Sequence, residues 1–530
     1  MKKLFLCSLF GLGALTHAQT PVLDQLDLGN FIAPIRSDGQ LFQDHNLNLK
    51  GLEWPKTTVA NDKRGVSFTG HVWFGGLDGQ GALHVAAETY GQSGQVFHPG
   101  LYNFDGAQWD SVWVINRSEV DQFRADFANS TVNFANYPIV AHWPAFGLDQ
   151  NGQRVACAPF VDMDNDPQHY TPSAGDYPDF PGHQALYFQF SDFPSRPNSP
   201  QNSMGVEVRA FAFVRDCPQL EDVLFLQYAV TNRSTNIYNG FRAGLWNDFD
   251  IGNYADDYIG TAPAQELFIG YNGDANDETS NGYGLNPPAM GWTCLSSPSS
   301  GGMYYNNDFT VKGNPDADAD YYSYLGSQWK DSTQLVDNGL DGYSGTATGT
   351  PTNYPFNGNP GWCGGPGTGW SEVSAGQAPF DRRGLLSFEP ETLNPGDTRT
   401  YTFAMLMARG FYNDNLGSVC ELIDLADSLH YWWDNQILPC EALTSTTPKV
   451  TETLEVFPNP TSSGVTLRYG HVLSEPADVQ VYDMTGRSVL QVEGHQGTEI
   501  RLDMQDLAPG VYQYRWTSGE KIATGKIVRQ

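Results

Sequence analysis

The sequence predicts a mainly β protein: a large antiparallel β-sandwich body with two short helices and a long loop-rich insertion, then a small immunoglobulin-like β-sandwich at the C-terminus. Three observations carry this. Apolar residues recur at period two in short runs such as Val465, Leu467, Tyr469 and Ile500, Leu502, Met504, the spacing of half-buried strands. Glycine, proline, asparagine and aspartate punctuate those runs, as turns between antiparallel strands require. The chain is 40% apolar and 13% aromatic, enough for a packed core.

Taken in order, Lys2 and Lys3 precede an apolar run from Leu4 to Leu15, and Thr16-His17-Ala18 ends it with small residues where a signal peptidase reads. Residues 1–18 therefore read as a signal peptide cleaved after Ala18. The run is too short to span a bilayer. Cys7 sits early in it behind Leu6 and reads as filler. No other stretch has the length and apolarity of a membrane span, so the mature chain is expected to be soluble.

The body covers 19–440, divisible at about residue 150 into 19–150 and 151–440. It opens irregularly from Gln19 to about Gly65. Val66-Ser67-Phe68 and His71 to Phe74 then read as strands, and Ala82 to Tyr90 as a hairpin partner after a glycine-rich turn. Ser118-Glu119-Val120-Asp121 resembles a capping box, with Val120, Phe123 and Phe127 on one face of the following helix. Strands follow at Leu186–Phe190, Gly205–Val214, Val223–Asn232 and Phe241–Trp246. Leu385–Phe388 and Thr400–Met407 look like two more strands of the same sheet system, which would close one domain around a long insertion. Asn272 to Trp370, rich in Gly, Asn, Pro and Tyr, reads as a binding surface or loose excursion rather than core. Ser418-Val419-Cys420-Glu421 is a second capping box, with Leu422, Leu425, Leu429 and Trp432 as an apolar stripe. Residues 441–453 read as a linker.

The last part, 454–530, opens Leu454-Glu455-Val456-Phe457-Pro458-Asn459-Pro460, where proline ends the first strand. About seven short strands follow, with turns at Asp483–Arg487 around Gly486, at Leu507–Gly510 and at Ser518-Gly519. Phe457, Pro458, Asn459 and Pro460, then Gly486, then Gly510 and Tyr512, stand in the order and spacing of the type A C-terminal sorting domain of the type IX secretion system of Bacteroidota, which this part resembles. The resemblance covers about a seventh of the chain. It implies export across the outer membrane by the type IX translocon, removal of the domain by a sortase-like protease, and a product at the cell surface or released outside. The body is similar to large uncharacterised secreted proteins of the same phylum through Trp113–Arg117, Ala158–Asp162, Gly175–Pro178 and Asp256–Gly260. That resemblance implies the compartment and no activity.

Charge narrows the partners. The chain carries a net −31. The C-terminal part holds seven basic and nine acidic residues and the leader two lysines, so residues 19–453, the body with its linker, carry the whole −31. Such a surface repels nucleic acid and anionic lipid. The acids are 42 Asp and 18 Glu, a bias toward turns and oxygen-ligand metal loops.

Three acidic groups are candidate cation sites. In Asp162-Met163-Asp164-Asn165-Asp166 carboxylates alternate in a turn and can converge on calcium, with Asp176 closing the shell. Pro167 and Ser173 replace the turn glycine and the bidentate glutamate of a helix-loop-helix site, and a solvated acidic turn is the alternative. Asp248, Asp250, Asp256 and Asp257 form the second group, with exposed loop acids as its favoured reading. The third, Asp316, Asp318 and Asp320, reads as solvated loop.

Six cysteines remain beyond the leader: Cys157, Cys217, Cys294, Cys363, Cys420 and Cys440. They allow three disulfides in 15 connectivities, or free buried thiols. Cys420 with Cys440 is the preferred pair because the two bracket one helix, although a straight helix would hold them too far apart. No catalytic residue is assigned. The sequence has no paired-histidine zinc helix, no Gly-x-Ser-x-Gly elbow and no phosphate-cradling loop. Ser518 and Lys521 fall in a hairpin, and Cys363 has no local histidine. The expectation is a non-enzymatic exported protein working in adhesion or glycan contact, with calcium stiffening its loops. The alternative is a secreted polysaccharide hydrolase, which needs only two carboxylates, such as Glu207 and Glu372, beside aromatic platforms.

Overall fold

The computed structural model describes residues 22–43, 51–90, 96–102, 109–148, 153–192, 202–410, 414–440, 450–451, 454–468, 476–482, 488–505, 507–518 and 521–530. The signal peptide with its cleavage site after Ala18, Gly486, and most of the linker lie outside these residues.

Two antiparallel sheets form the body. Its main strands and helices, in chain order, are β1 (Thr69–Leu77), β2 (Leu83–Ala86), β3 (Trp113–Asn116), α1 (Arg117–Ala128), β4 (Gln184–Ser191), β5 (Val206–Val214), β6 (Val223–Asn232), β7 (Tyr238–Asp248), β8 (Asp257–Ala262), β9 (Leu267–Asn272), β10 (Ala289–Cys294), β11 (Ser299–Asn306), α2 (Asp318–Leu325), β12 (Arg382–Phe388), β13 (Thr398–Ala408) and α3 (Asn415–Asp434). The larger, 9-stranded sheet runs β8-β9-β10-β13-β6-β5-β4, and β4 also pairs with β3 and with His98–Pro99. The 6-stranded sheet runs β11-β12-β7-β1-β2, with Glu391–Leu393 against the start of β7.

Alternation along the larger sheet makes two cores. On β4, Leu186, Phe188 and Phe190 enter the cluster shared with the smaller sheet, which also takes Val72, Phe74 and Leu245. Their neighbours Ala185 and Tyr187 point the other way, into a cluster with Val120 and Phe123 of α1 and Val419, Leu422 and Leu429 of α3. Both faces are buried, so these strands read as continuous apolar runs. Between the sheets a side chain is excluded at Gly384 of β12: a Cβ there would stand 2.4 Å from Phe268 and 2.7 Å from Trp292. The smaller sheet's outer face is covered by α2, whose Tyr321 meets Trp73 edge-on while Trp73 stacks on Trp246.

Several expectations are corrected by this packing. The opening stretch is not irregular throughout: Leu23–Leu26 pairs with Ala33–Arg36, and Phe31, Ile35 and Leu41 are fully buried. The 272–370 excursion supplies β10, a central strand between β9 and β13, as well as β11 and α2. Glycine and asparagine there are strand and turn residues of the core. The two late strands part company, β12 joining the smaller sheet and β13 the larger. Neither capping box caps. The first helix starts at Arg117, directly from β3. In α3 Asp414 is the cap, accepting from Gly417 N at 2.6 Å, and Ser418 is buried inside, donating to Pro287 O at 2.7 Å.

Disulfides join Cys217 to Cys440 and Cys363 to Cys420, with Cα–Cα distances of 6.2 and 4.9 Å. The Cys420–Cys440 pairing is therefore wrong. Cys420 lies in the first half of α3 and the 14 residues from there to Asp434 advance about 21 Å along a helix axis, which carries Cys440 to the other end. Cys157 and Cys294 are buried and not disulfide-bonded.

The C-terminal module has the seven expected strands: β14 (Glu455–Phe457), β15 (Gly464–Arg468), β16 (Ala477–Tyr482), β17 (Ser488–His495), β18 (Glu499–Asp503), β19 (Gly510–Ser518) and β20 (Lys521–Arg529). They form a three-stranded sheet β14-β15-β18 against β20-β19-β16-β17, with Val450–Thr451 added parallel to β20. Val465, Leu467, Val479, Val481, Ile500, Leu502 and Trp516 fill the space between.

Candidate functional site

The end of β7 gathers the most unusual chemistry in the body. Strand register sets Asp248 opposite Arg383 of β12 on one side and Thr69 of β1 on the other. Trp246, two residues earlier, shares its face. Asp250 follows just past the strand, and Asp381 stands one residue before β12. Carboxylate oxygens of Asp248, Asp250 and Asp381 lie within 4.8 Å of one another. Asp248 is 1% exposed, and the other two are half-buried.

One guanidinium serves this group. Arg383 donates to Asp248 Oδ2 at 3.2 Å, to the Asp381 carboxylate, and to the Tyr90 hydroxyl at 2.7 Å. Tyr90 in turn donates to Asp248 Oδ2 at 2.9 Å. Asp248 Oδ1 and Asp250 Oδ1 are buried and accept no hydrogen bond. Burial raises the Asp248 carboxyl to about 6 despite Arg383. Burial, then the nearby charges of Asp248 and Asp381, hold Asp250 well above the carboxylate range.

The reading of this group as exposed loop acids is overturned by that burial, and its membership changes. Asp257 is fully buried but turns to Ile251 N, accepting at 3.0 Å, and Asp256 accepts from Asn253 Nδ2 at 2.8 Å. These two fasten the loop after β7. Asp381, which sequence reasoning missed, takes their place from 133 positions away in the chain.

In the 162–176 turn, oxygens of Asp162, Asp164 and Asp176 come within 4.8 Å of one another. Asp166 is drawn off toward His169 at 2.7 Å. The turn is tied by its own backbone: Asp162 Oδ1 accepts from Asp164 N and Asp166 N, while buried Asp176 accepts from Met163 N at 2.8 Å and Thr171 N at 2.7 Å. In the third group, Asp320 accepts from Asp316 N and Ala317 N at the start of α2, and Lys330 reaches both Asp316 and Asp320. Those acids begin a helix.

Glu207 and Glu372 serve separate ion pairs. Glu207 takes Arg209 and Arg233 at 2.8 and 2.9 Å, and Glu372 takes Arg382 at 2.7 Å and Ile259 N at 2.5 Å.

On the helical side of the larger sheet a cleft of about 360 Å³ opens between Trp109, Trp113 and Trp143, with exposed His142 and with Arg154 over the ring of Phe146 at 4.1 Å. Sequence reading did not gather these residues; three tryptophans within 35 positions on either side of the predicted helix were the available signal. Trp143 Nε1 donates to Pro159 O at 2.8 Å, and Pro159 lines a second cleft, about 320 Å³, with Arg117, Arg215 and Gln227.

At the C-terminus the bracketed asparagine is a clamp. Asn459 Nδ2 donates to Lys526 O at 2.7 Å and its Oδ1 accepts from Val528 N at 2.8 Å, fixing the module's opening to its last strand. Tyr512 is buried and donates to Ala508 O at 2.7 Å, bonding back across the turn that Gly510 leaves to begin β19. Phe457, exposed at the end of β14 just before Pro458, carries Arg468 over its ring at 4.4 Å.

Residues 455–530 match the family described as the secretion system C-terminal sorting domain. No curated protein sequence matches the chain. Among solved structures a polysaccharide lyase is similar with a TM-score of 0.19 and 10% identity over 63% of this chain and 36% of the lyase, so the chain spans about a third of that protein's length. An Escherichia coli K12 protein described as a putative aldose 1-epimerase is similar with a TM-score of 0.25 and 10% identity over 74% of this chain and 100% of the epimerase. Neither likeness, at these values, informs the fold or the chemistry. No described helix is long and apolar enough to cross a membrane. The C-terminal match decides the address: this chain is a type IX secretion substrate, exported across the outer membrane to the cell surface or the extracellular space.

Proposed function

We propose that the exported body is a non-enzymatic binding protein that contacts glycans outside the cell, with the tryptophan-lined cleft as its contact surface. The observation that carries this reading is the convergence of Trp109, Trp113 and Trp143 on one cleft of about 360 Å³, a volume within the range of small-ligand sites. Indole presents a flat apolar face to the C–H side of a sugar ring and an N–H to its hydroxyls. Half-buried Trp113 offers the larger share of that face, and His142 and Arg154 add polar groups at the rim. Calcium belongs to this reading as the ion of the Asp162, Asp164 and Asp176 turn, and handling by the translocon and a sortase-like protease as the route. A glycan array run beside a hydrolysis screen on the purified chain tests it: retention of a glycan class, weakened by Trp113→Ala and without turnover, is the expected result. Retention unaffected by that substitution would sink it.

A polysaccharide hydrolase is the second reading. It is favoured by the acidic group at Asp248, Asp250 and Asp381, since two facing carboxylates are what glycoside hydrolysis requires. The grip of Arg383 on Asp248 and Asp381 counts against it, because both candidate acids are already engaged. Release of reducing ends in the same screen, abolished by Asp250→Asn, would establish this reading in place of the first.

A further inference from the structure

We propose that Asp248, Asp250 and Asp381 form a seat for one hard divalent cation of the calcium class, at the junction of β7 and β12 and independent of the glycan reading.

Three features of the site point there together. The oxygens of the three carboxylates lie within 4.8 Å of one another. Two oxygens on opposite sides of a calcium ion, each at about 2.4 Å, span that distance, so the site can close on an ion without moving the strands. Next, Asp248 is 1% exposed and its Oδ1 has no hydrogen-bond partner; Asp250 Oδ1 is likewise buried and unpartnered. A carboxylate oxygen held away from water with nothing to accept from is costly, and a ligand is the usual resolution. Last, the charges leave a remainder. Ionising all three carboxyls beside the single guanidinium of Arg383 would leave −2, which one divalent cation cancels. Arg383 and Tyr90 occupy Asp248 Oδ2, and Asp381 takes Arg383 on Oδ1 and Asn307 Nδ2 on Oδ2 at 2.9 Å, so Asp248 Oδ1 and Asp250 Oδ1 are the two oxygens left without a partner.

The 162–176 turn differs in that respect. Its buried Asp176 spends both oxygens on backbone N–H groups, and no carboxylate oxygen of Asp162, Asp164 or Asp176 is both buried and without a partner.

The position explains what an ion would do there. It would tie the end of β7 to the segment entering β12, and so fix the entrance to the 249–256 loop.

Terbium, a luminescent stand-in for calcium, supplies the test. Trp246 lies two residues from Asp248 on the same strand face and can sensitise it. The metal-stripped full chain, excited at tryptophan, should give saturable Tb³⁺ emission that Ca²⁺ displaces, and Ca²⁺ should raise its thermal midpoint. Asp250→Asn is the chosen variant because Asp250 is half-buried and makes no hydrogen bond through Oδ1, so packing is preserved. It should weaken Ca²⁺ displacement at least about tenfold, as expected for loss of one charged ligand. Asp162→Asn/Asp164→Asn, which silences the 162–176 turn, should still leave a Ca²⁺-displaceable emission, and Asp250→Asn is compared on that background as well. A wild-type chain without Ca²⁺-displaceable emission overturns the proposal. So does an Asp250→Asn chain, folded by circular dichroism, that binds as the wild type does.

Discussion

Asn459 holds Val528 across the C-terminal module: its Oδ1 accepts from Val528 N at 2.8 Å while its Nδ2 donates to the carbonyl of Lys526 at 2.7 Å. One side chain thereby replaces the ladder bonds that Pro458 and Pro460 cannot make, and the module's first residues are fastened to its last strand. The spacing of prolines and asparagine is thus a requirement of closure.

Asn459→Ala should therefore destabilise the module by about 0.5–1.5 kcal/mol, because Val528 N and Lys526 O exchange a fixed partner for water. Urea unfolding of the full chain, followed at the module by the fluorescence of buried Trp516, measures this. The body's own transition should stay in place.

The sheet-to-sheet contact at Gly384 sets a second expectation. Gly384→Ala pushes a methyl against Phe268 and Trp292, whose atoms lie 2.4 and 2.7 Å from the new Cβ. Overpacking of this kind costs about 1–3 kcal/mol, and a lowered thermal midpoint checks it.

The disulfides provide a third. Cys363–Cys420 pins the glycine-rich 361–369 segment to α3, and Cys217–Cys440 pins the exit of that helix to the turn before β6. Removing either by paired Cys→Ser substitution should cost about 2–4 kcal/mol. A non-reduced peptide map should contain those two links and no peptide joining Cys420 to Cys440.

The pairings also show where sequence reading stops. All seven strands of the C-terminal module were legible, because each alternates over a small core and ends at a turn residue. So were β4 to β7, whose runs are mainly apolar and aromatic and are separated by turn residues. Strands β10 and β11 were not. Ala289-Met290-Gly291-Trp292 and Gly301-Gly302-Met303 carry glycine where the Phe268 carbonyl (at Gly291) and the side chains of Ser327 and Phe268 (at Gly301 and Gly302) press close, and glycine in sequence reads as loop. The acidic site was half legible. Asp248 and Asp250 stand together in the chain, but Asp381 reaches them only through the register of β7 with β12, which no local pattern encodes. The capping boxes misled for a related reason: α1 leaves β3 without a loop, so its start is set by strand pairing rather than by Ser118.

Buried titratable groups give a pH expectation. Glu88 is 5% exposed, and burial together with the neighbouring Asp38 raises its carboxyl from 4.5 to about 7, against Arg36 and the N–H groups of Val96 and Phe97. The adjacent His71 is driven to about 4 by burial and stays neutral across this window. Between pH 4.5 and 7 the folded chain keeps a proton that the unfolded chain has released, so stability falls as pH rises. The fall is on the order of 3 kcal/mol. Glu88→Gln, which still accepts from Val96 N, should reduce that slope by the Glu88 share in denaturant titrations at pH 5, 6, 7 and 8, leaving the shares of Glu372, raised by burial to about 7, and of Asp192, raised by burial to about 6.

The address itself is open to a direct measurement in the native host. The full-length chain and a chain lacking 455–530 are expressed side by side, and each is located by fractionation into cell interior, cell surface and medium. The full-length chain should reach the surface or the medium, and the shortened one should remain inside the outer membrane. Equal amounts of both outside the cell would contradict the assignment of residues 455–530 as the export signal.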